Sequence, residues 1–329
     1  MPRSLVIQTS FLGDMVLTTP LIAALASAGP VDVVATPANA ALLAHHPLVR
    51  HVYRYDKRGA HTGVSAFRAM ARLVRCDDEA DTAYLAQGSL RSAALAAAAG
   101  YRSRVGFDTS AGRFFYTKQV RYDDDRHHAE RLWSLAGLGT IPAASALRPR
   151  LYPGAAEDES VHRVLAEHGY DGEPLVALAP GSVWATKRWP YYSELSRELS
   201  NVGRVVIIGG SDDAALAADI VKATRGSAID AVGRLSLLAS AALIGRARVL
   251  VTNDSAPQHL ASAMNTPTIS VFGPTVPSFG FGPLAEQAVV AGVEGLACRP
   301  CDRHGPQRCP LGHWRCMREL AIADIHAAI

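Results

Sequence analysis

The chain has 329 residues, 49% hydrophobic and 19% charged, with a formal net charge of +3 at pH 7. That length exceeds one ordinary core and predicts two domains, and the composition excludes a disordered or fibrous protein. Charge is uneven: residues 1–150 hold 18 Lys and Arg against 12 Asp and Glu, the remainder 15 against 18, so the first half is expected to meet an acidic partner.

In chain order, short apolar strand patterns alternate with longer helical ones, the signature of parallel α/β domains. Strands are expected over residues 5–8, 31–35, 82–86 and 104–106, with helices over 16–28, 38–45, 63–75, 89–99 and 127–138. Residues 144–153, with two prolines, read as a linker, so the domains are placed at 1–153 and 154–329. A helix over 157–168 opens the second domain. Strands follow over 175–179, 205–208, 228–230, 249–252 and 268–272, with helices over 191–199, 213–224, 236–245 and 258–264. Two doubly wound domains in tandem are expected, with ligands at the carboxyl ends of their strands. GxGxxG occurs in neither half, which disfavours a dinucleotide-dependent dehydrogenase.

The N-terminus MPRSLVIQTSFLGD lacks the apolar run and small-residue cleavage site of a signal peptide. The longest apolar stretch, residues 93–99, falls far short of the roughly 20 residues a membrane span requires. A cytoplasmic protein is expected, with any membrane contact peripheral.

Four loops carry candidate chemistry. In TSFLGDMVLTTP (9–20), Asp14 sits where a helix begins, and reads either as a capping carboxylate or as a general base acting on a hydroxyl nucleophile. Gly13 before it allows close backbone approach by a substrate. In APGSVWATKRWP (179–190), Gly181 and Ser182 form a turn and Lys187 adds a compact positive charge, a combination suited to phosphate oxygens. Trp189 reads as packing beneath that loop, and a solvated surface lysine is the plainer reading of Lys187. In IIGGSDDAAL (207–216), Asp212 or Asp213 either accepts from ribose hydroxyls or caps the next helix. In VLVTNDSAPQHL (249–260), Asn253, Asp254, Ser255 and Ala256 precede a helix whose amides form an anion site. There Asp254 is assigned to sugar hydroxyls and the amides of 254–256 to a diphosphate. His259 follows one turn later, as a helper or as a buried structural residue.

The order of TSFLGDMVLTTPLIAAL, PGSVWATKRWP and GRLSLLASAALIGRARVLVTNDSAPQHLASAMNTPTISVFGPT resembles glycosyltransferase family 9, the bacterial lipopolysaccharide heptosyltransferases. The resemblance spans nearly the whole chain. It implies the GT-B architecture, two Rossmann-like domains facing across a cleft, and inverting transfer of heptose from an ADP-activated sugar, with no cofactor and no catalytic metal. It places Asp14 as the base, Ser182 and Lys187 on the diphosphate, Asp212 near the ribose and Leu235 near the adenine. Asp254 would engage the heptose, with Ser255, Ala256 and His259 completing the donor site. The N-terminal domain would meet a lipopolysaccharide inner-core acceptor at the inner membrane surface. Gly13, Arg58, Arg102, Arg104, Arg113, Lys118 and Arg121 are candidates to contact it, each cation being equally an ordinary surface charge.

Near the C-terminus CRPCDRHGPQRCPLGHWRC groups Cys298, Cys301, Cys309 and Cys316 with His304 and His313. CxxC followed by two further cysteines resembles a structural zinc site, although the second pair stands six residues apart instead of two. A reducing compartment argues against disulfides. The isolated Cys76 reads as structural. A similar Cys-rich tail favours, within the family, the branch that adds the second heptose. The alternatives are addition of the first heptose to Kdo-lipid A, a family member with another sugar, a sugar-nucleotide epimerase, and a non-catalytic nucleotide-sugar-binding module.

Overall fold

The computed structural model describes residues 1–328 and divides the chain into two compact units, Met1–Tyr152 and Pro153–Ile329. The first holds a six-stranded parallel sheet built from β1 (Ser4–Gln8), β2 (Val31–Ala35), β3 (Val49–Arg54), β4 (Thr82–Leu85), β5 (Ser103–Phe107) and β6 (Lys118–Val120), ordered β3-β2-β1-β4-β5-β6. The second repeats the plan with β7 (Leu175–Ala179), β8 (Arg204–Ile207), β9 (Ile229–Asp230), β10 (Ala247–Asn253), β11 (Thr268–Val271) and β12 (Ala288–Ala291), ordered β12-β11-β10-β7-β8-β9. Every residue of β1, β2 and β7 is buried, as expected of central parallel strands covered on both faces. These are two doubly wound Rossmann-like units, the components of the GT-B architecture.

In each sheet the strand order reverses beside the unit's first strand, between β1 and β4 and between β7 and β10. Connections leave in opposite directions at such a point, which opens a crevice at the carboxyl ends of the two strands. Gln8, the last residue of β1, bridges this point in the first unit by donating from Nε2 to the Ala86 carbonyl at 3.0 Å. Asn253, the last residue of β10, does so in the second by donating from Nδ2 to the Pro180 carbonyl at 2.8 Å.

The first helix runs Leu12–Ala26, starting four residues before the expected 16. Pro20 lies inside it, although proline removes one helical hydrogen bond. The Val16 carbonyl that Pro20 cannot reach accepts instead from the Thr19 hydroxyl at 2.8 Å. The expected linker contains the short helix Ala144–Leu147, with Leu147 and Leu151 buried. β3, β6 and β12 lie outside the expected strands. Residues 292–314 form neither helix nor strand. The chain ends in the helices Arg315–Arg318 and Ile322–His326, whose Cys316, Met317 and Ile325 join Tyr192, Leu195 and Leu199 in the core of the second unit. Among the described residues, no helix is long and apolar enough to cross a membrane.

Candidate active site

In the first unit the chain leaves β1 through Thr9 and Ser10 and enters the helix Leu12–Ala26, whose first turn carries Gly13 and Asp14. The residue capping this helix is Phe11, which offers no side-chain oxygen. Asp14 is therefore not the cap, and its carboxylate is turned to other partners. The Ser10 hydroxyl stands 2.5 Å from Asp14 Oδ2 and 2.6 Å from Gln8 Oε1. With one proton it donates to only one of them at a time. Asp14 Oδ1 lies 3.8 Å from Nε2 of His128, a buried residue at the start of the helix His128–Ser134. The Asp14 side chain keeps 18% of its surface exposed. A carboxylate flanked by a hydroxyl and an imidazole, and reachable from outside, is equipped to take a proton.

Around it stand groups the sequence pattern did not single out. Lys57 Nζ donates to the Thr9 hydroxyl at 3.0 Å, and Gln87 Nε2 donates to the same oxygen. Burial, together with the neighbouring Arg58 and Arg91, holds the Lys57 ammonium below its ordinary value. Arg91 is fixed by donation to the Tyr55 hydroxyl at 2.6 Å and the His61 carbonyl at 2.8 Å.

The candidate acceptor cations are scattered. Arg58 is exposed and belongs to this group. Arg102 pairs with Glu79 at 2.7 Å, and the Arg113 guanidinium lies 4.6 Å from the centre of the Phe114 ring. Lys118, on the edge strand β6, and Arg121 are exposed. The Arg104 guanidinium donates to the backbone carbonyls of Tyr101 and Phe115.

In the second unit Ser182 and Lys187 follow β7, and Asp254, Ser255, Ala256 and His259 follow the neighbouring strand β10. Lys187 is not a solvated surface lysine. It is only 8% exposed, as is Asp254, and Lys187 Nζ donates to Asp254 Oδ2 at 2.6 Å. The Thr275 hydroxyl donates to the same oxygen at 2.6 Å, and Gln258 Nε2 to Asp254 Oδ1 at 2.9 Å. An ionised carboxylate offers about four acceptor positions, and three are filled here. The ammonium, with three N–H groups, spends one on Asp254.

The backbone of the Lys187 loop is riveted by Asn253, which is fully buried. Its Oδ1 accepts from the Trp189 N–H at 3.1 Å and the Tyr192 hydroxyl at 3.3 Å, while Nδ2 donates to Pro180. Asn253→Leu would orphan these groups and is expected to destabilise the protein by about 2–4 kcal/mol. Urea unfolding measures this; a change under about 0.5 kcal/mol would contradict the rivet.

The amides differ from expectation. Asp254 N–H donates to the Val271 carbonyl at 2.9 Å, which leaves the Ser255 and Ala256 amides at the first turn of the helix Ala256–Met264. His259 is buried one turn on. Asp213 stands at the N-cap of the helix Ala214–Ala223 but makes no side-chain cap bond there; its carboxylate instead accepts from the Gly210 N–H at 3.1 Å, closing the 3-10 turn Ser211–Asp213. A Cβ on Gly181 or Gly209 would collide with that carboxylate, so the two glycine turns pack around it. Asp212 is exposed beside it, and Leu235 lies half-buried before the helix Leu237–Arg246. Trp189 packs beneath the loop as expected, 2% exposed, with its indole N–H donating to Leu320.

Cys298 Sγ is 4.0 Å from His313 Nε2, and Cys301, Cys309 and Cys316 occupy the same segment, all as free thiols. Among the described residues, no three His, Cys, Asp or Glu side chains gather closely enough to hold a metal ion.

Comparison with known proteins gives this arrangement a context. The family model described as glycosyltransferase family 9 (heptosyltransferase) matches residues 68–312. The chain is 30% identical to lipopolysaccharide heptosyltransferase 1 of Pseudomonas aeruginosa, over 91% of this chain and 86% of the relative. It is 28% identical to lipopolysaccharide heptosyltransferase 2 of Escherichia coli, over 88% of this chain and 87% of the relative. Among solved structures it resembles a family 9 glycosyltransferase from Veillonella parvula, with a TM-score of 0.80, 25% identity and coverage of 88% of this chain and 85% of that one. With the family model covering well over half of its length, the chain belongs to glycosyltransferase family 9 (heptosyltransferase) and is a glycosyltransferase.

Proposed function

We propose that the protein transfers heptose from ADP-L-glycero-β-D-manno-heptose to the first heptose of the lipopolysaccharide inner core, with inversion. The observation that carries this reading is the likeness, along about nine-tenths of the chain, to lipopolysaccharide heptosyltransferases. Relatives of both kinds are similar to it, so the choice of acceptor rests on the Cys-rich C-terminal segment.

In this reading the second unit holds the donor. Lys187, anchored by Asp254, directs its remaining N–H groups to the diphosphate, and the Ser255 and Ala256 amides at a helix start add partial positive charge. Together they stabilise the charge that grows on departing ADP. The one acceptor position left on Asp254 takes a sugar hydroxyl. The first unit holds the acceptor. Asp14 removes the proton of the attacking hydroxyl, with Ser10 and His128 fixing the carboxylate. Lys57, Arg58 and Arg91, crowded together at the end of β1, suit an acceptor carrying phosphates and acidic sugars. The enzyme is placed in the cytoplasm, reaching its lipid acceptor at the face of the inner membrane.

The test offers the purified protein ADP-heptose with two lipid acceptors, one bearing the first heptose and one lacking it, with products weighed by mass spectrometry. Gain of one heptose on the heptose-bearing lipid is expected. Turnover of the heptose-free lipid alone would sink the choice of acceptor and leave heptosyl transfer standing.

A further inference from the structure

The loop that carries Lys187 has little regular structure of its own. The turn Ala185–Lys187 is a single 3-10 turn, closed by Lys187 N–H to Trp184 and Arg188 N–H to Ala185. Lys187 is nevertheless buried and fixed, and the cover comes from the coil 298–314. Gln307, about 120 residues away in sequence, bridges the loop with both ends of its amide. Oε1 accepts from the Ala185 N–H at 3.1 Å, and Nε2 donates to the Val183 carbonyl at 2.9 Å. The Thr186 hydroxyl donates to the Pro306 carbonyl. The rings of Trp184 and His304 stack with centroids 6.1 Å apart and planes 19° from parallel. Gly305, at φ +86°, lies against the Lys187 stem, where an added Cβ would stand 3.3 Å from Cγ and Cε. The left-handed φ and the close approach both call for glycine there.

The coil is tied to the other side of the same site. Cys301 N–H donates to the Pro274 carbonyl at 2.8 Å. The Arg299 guanidinium donates to the carbonyls of Phe272 and Thr275 at 2.9 and 3.1 Å. Thr275 is the residue whose hydroxyl holds Asp254. One segment therefore grips the loop bearing the ammonium and the loop that anchors its carboxylate partner.

We infer that Gln307 is a positioning residue for donor binding: with Gly305 and Pro306 it clips the 183–187 loop so that Lys187 is already in place for a nucleoside diphosphate. The inference rests on the reading that Lys187 meets the diphosphate. A loop held beforehand is not ordered at the cost of binding energy, so the clip acts on affinity and not on the chemical step. Gln307 touches neither the donor nor the acceptor in this scheme, and acts only through the backbone of residues 183 and 185.

The test measures ADP affinity by calorimetry on the full chain for Gln307→Met, Lys187→Ala and the double variant. Gln307→Met keeps the length of the side chain and removes both hydrogen bonds. It is expected to weaken ADP binding about fivefold to tenfold, the scale of two net hydrogen bonds. The KM for the donor should rise in proportion, with kcat, the acceptor KM and the melting temperature close to those of the parent; a purely structural role would instead lower kcat and the melting temperature together. Thr186→Val, which cuts the contact to Pro306, should shift ADP affinity in the same direction. If the clip works through Lys187, the double variant binds ADP no more weakly than Lys187→Ala. Unchanged affinity in Gln307→Met beside weakened binding in Lys187→Ala would overturn the clip and leave the phosphate contact intact. Losses that simply add would overturn its action through Lys187. Unchanged affinity in Lys187→Ala would overturn the phosphate contact itself, and the clip with it.

Discussion

Asp14→Asn is expected to lower kcat by about 10²-fold or more, the usual scale for losing general-base help, and to leave ADP-heptose affinity unchanged. The amide has the size and shape of the carboxylate, so an oxygen remains to accept from the Ser10 hydroxyl, which stands 2.5 Å from Asp14 Oδ2. It has no useful basicity, so the proton of the attacking hydroxyl has nowhere to go. Donor affinity is a control built into the protein, because the groups assigned to the donor lie in the other compact unit. Initial rates at saturating substrate and calorimetry with ADP-heptose check the two halves of the expectation. A rate within about threefold of the parent would remove Asp14 from the chemistry.

The second large effect is on stability. Asp254→Ala would strand the Lys187 ammonium in a site where its side chain is only 10% exposed. Removing one partner of a buried pair costs about 3–5 kcal/mol, because the other charge is left uncompensated. Lys187→Ala should cost less. The Asp254 carboxylate would keep the Thr275 hydroxyl at 2.6 Å and the Gln258 amide at 2.9 Å, and two donors blunt the penalty for a buried anion. The asymmetry is the informative part. Thermal or denaturant unfolding should rank the variants Asp254→Ala, Lys187→Ala, parent, from least to most stable. The double variant should be less damaged than the sum of the singles. Equal, sub-kilocalorie effects would mean that the pair is solvated in solution.

The sequence carried the central strands and the site loops, for a physical reason. β1, β2, β7 and β10 lie in sheet interiors, and continuous burial writes apolar runs such as LVALA, with the buried Asp32 of VDVVA an exception that pairs with Arg50 at 2.7 Å. The unforeseen strands β3, β6 and β12 are peripheral in their sheets. VRHVYR and KQV are partly or wholly exposed and read as polar loop, while AVVA is apolar but only four residues long and mostly exposed at a sheet edge. The early start of the first helix was hidden by Gly13 and Asp14, which read as a loop, and by Pro20 within it, whose missing bond Thr19 replaces.

The site divides along the same line. Asp254 stands out as a polar residue directly after an apolar strand, whereas Asp14 and Lys187 lie six and eight residues beyond theirs, and a plain surface lysine is the simpler reading of Lys187. Sequence reading could not assign Lys187 to Asp254, 67 positions away, or turn His128 toward Asp14. Such contacts are products of tertiary packing and leave no local signal. The double histidine in RHHAE was the only hint of the latter, and His127 in it serves as a helix cap. Gln307 lies in a coil where nothing but its two amide contacts marks it.

The most direct test of the account is to follow ADP release from ADP-heptose, with and without the heptose-bearing lipid acceptor, while weighing the lipid. The account predicts that ADP appears only when acceptor is present, in step with one added heptose per lipid. Donor consumed at the same rate without acceptor, or without any gain in lipid mass, would contradict it.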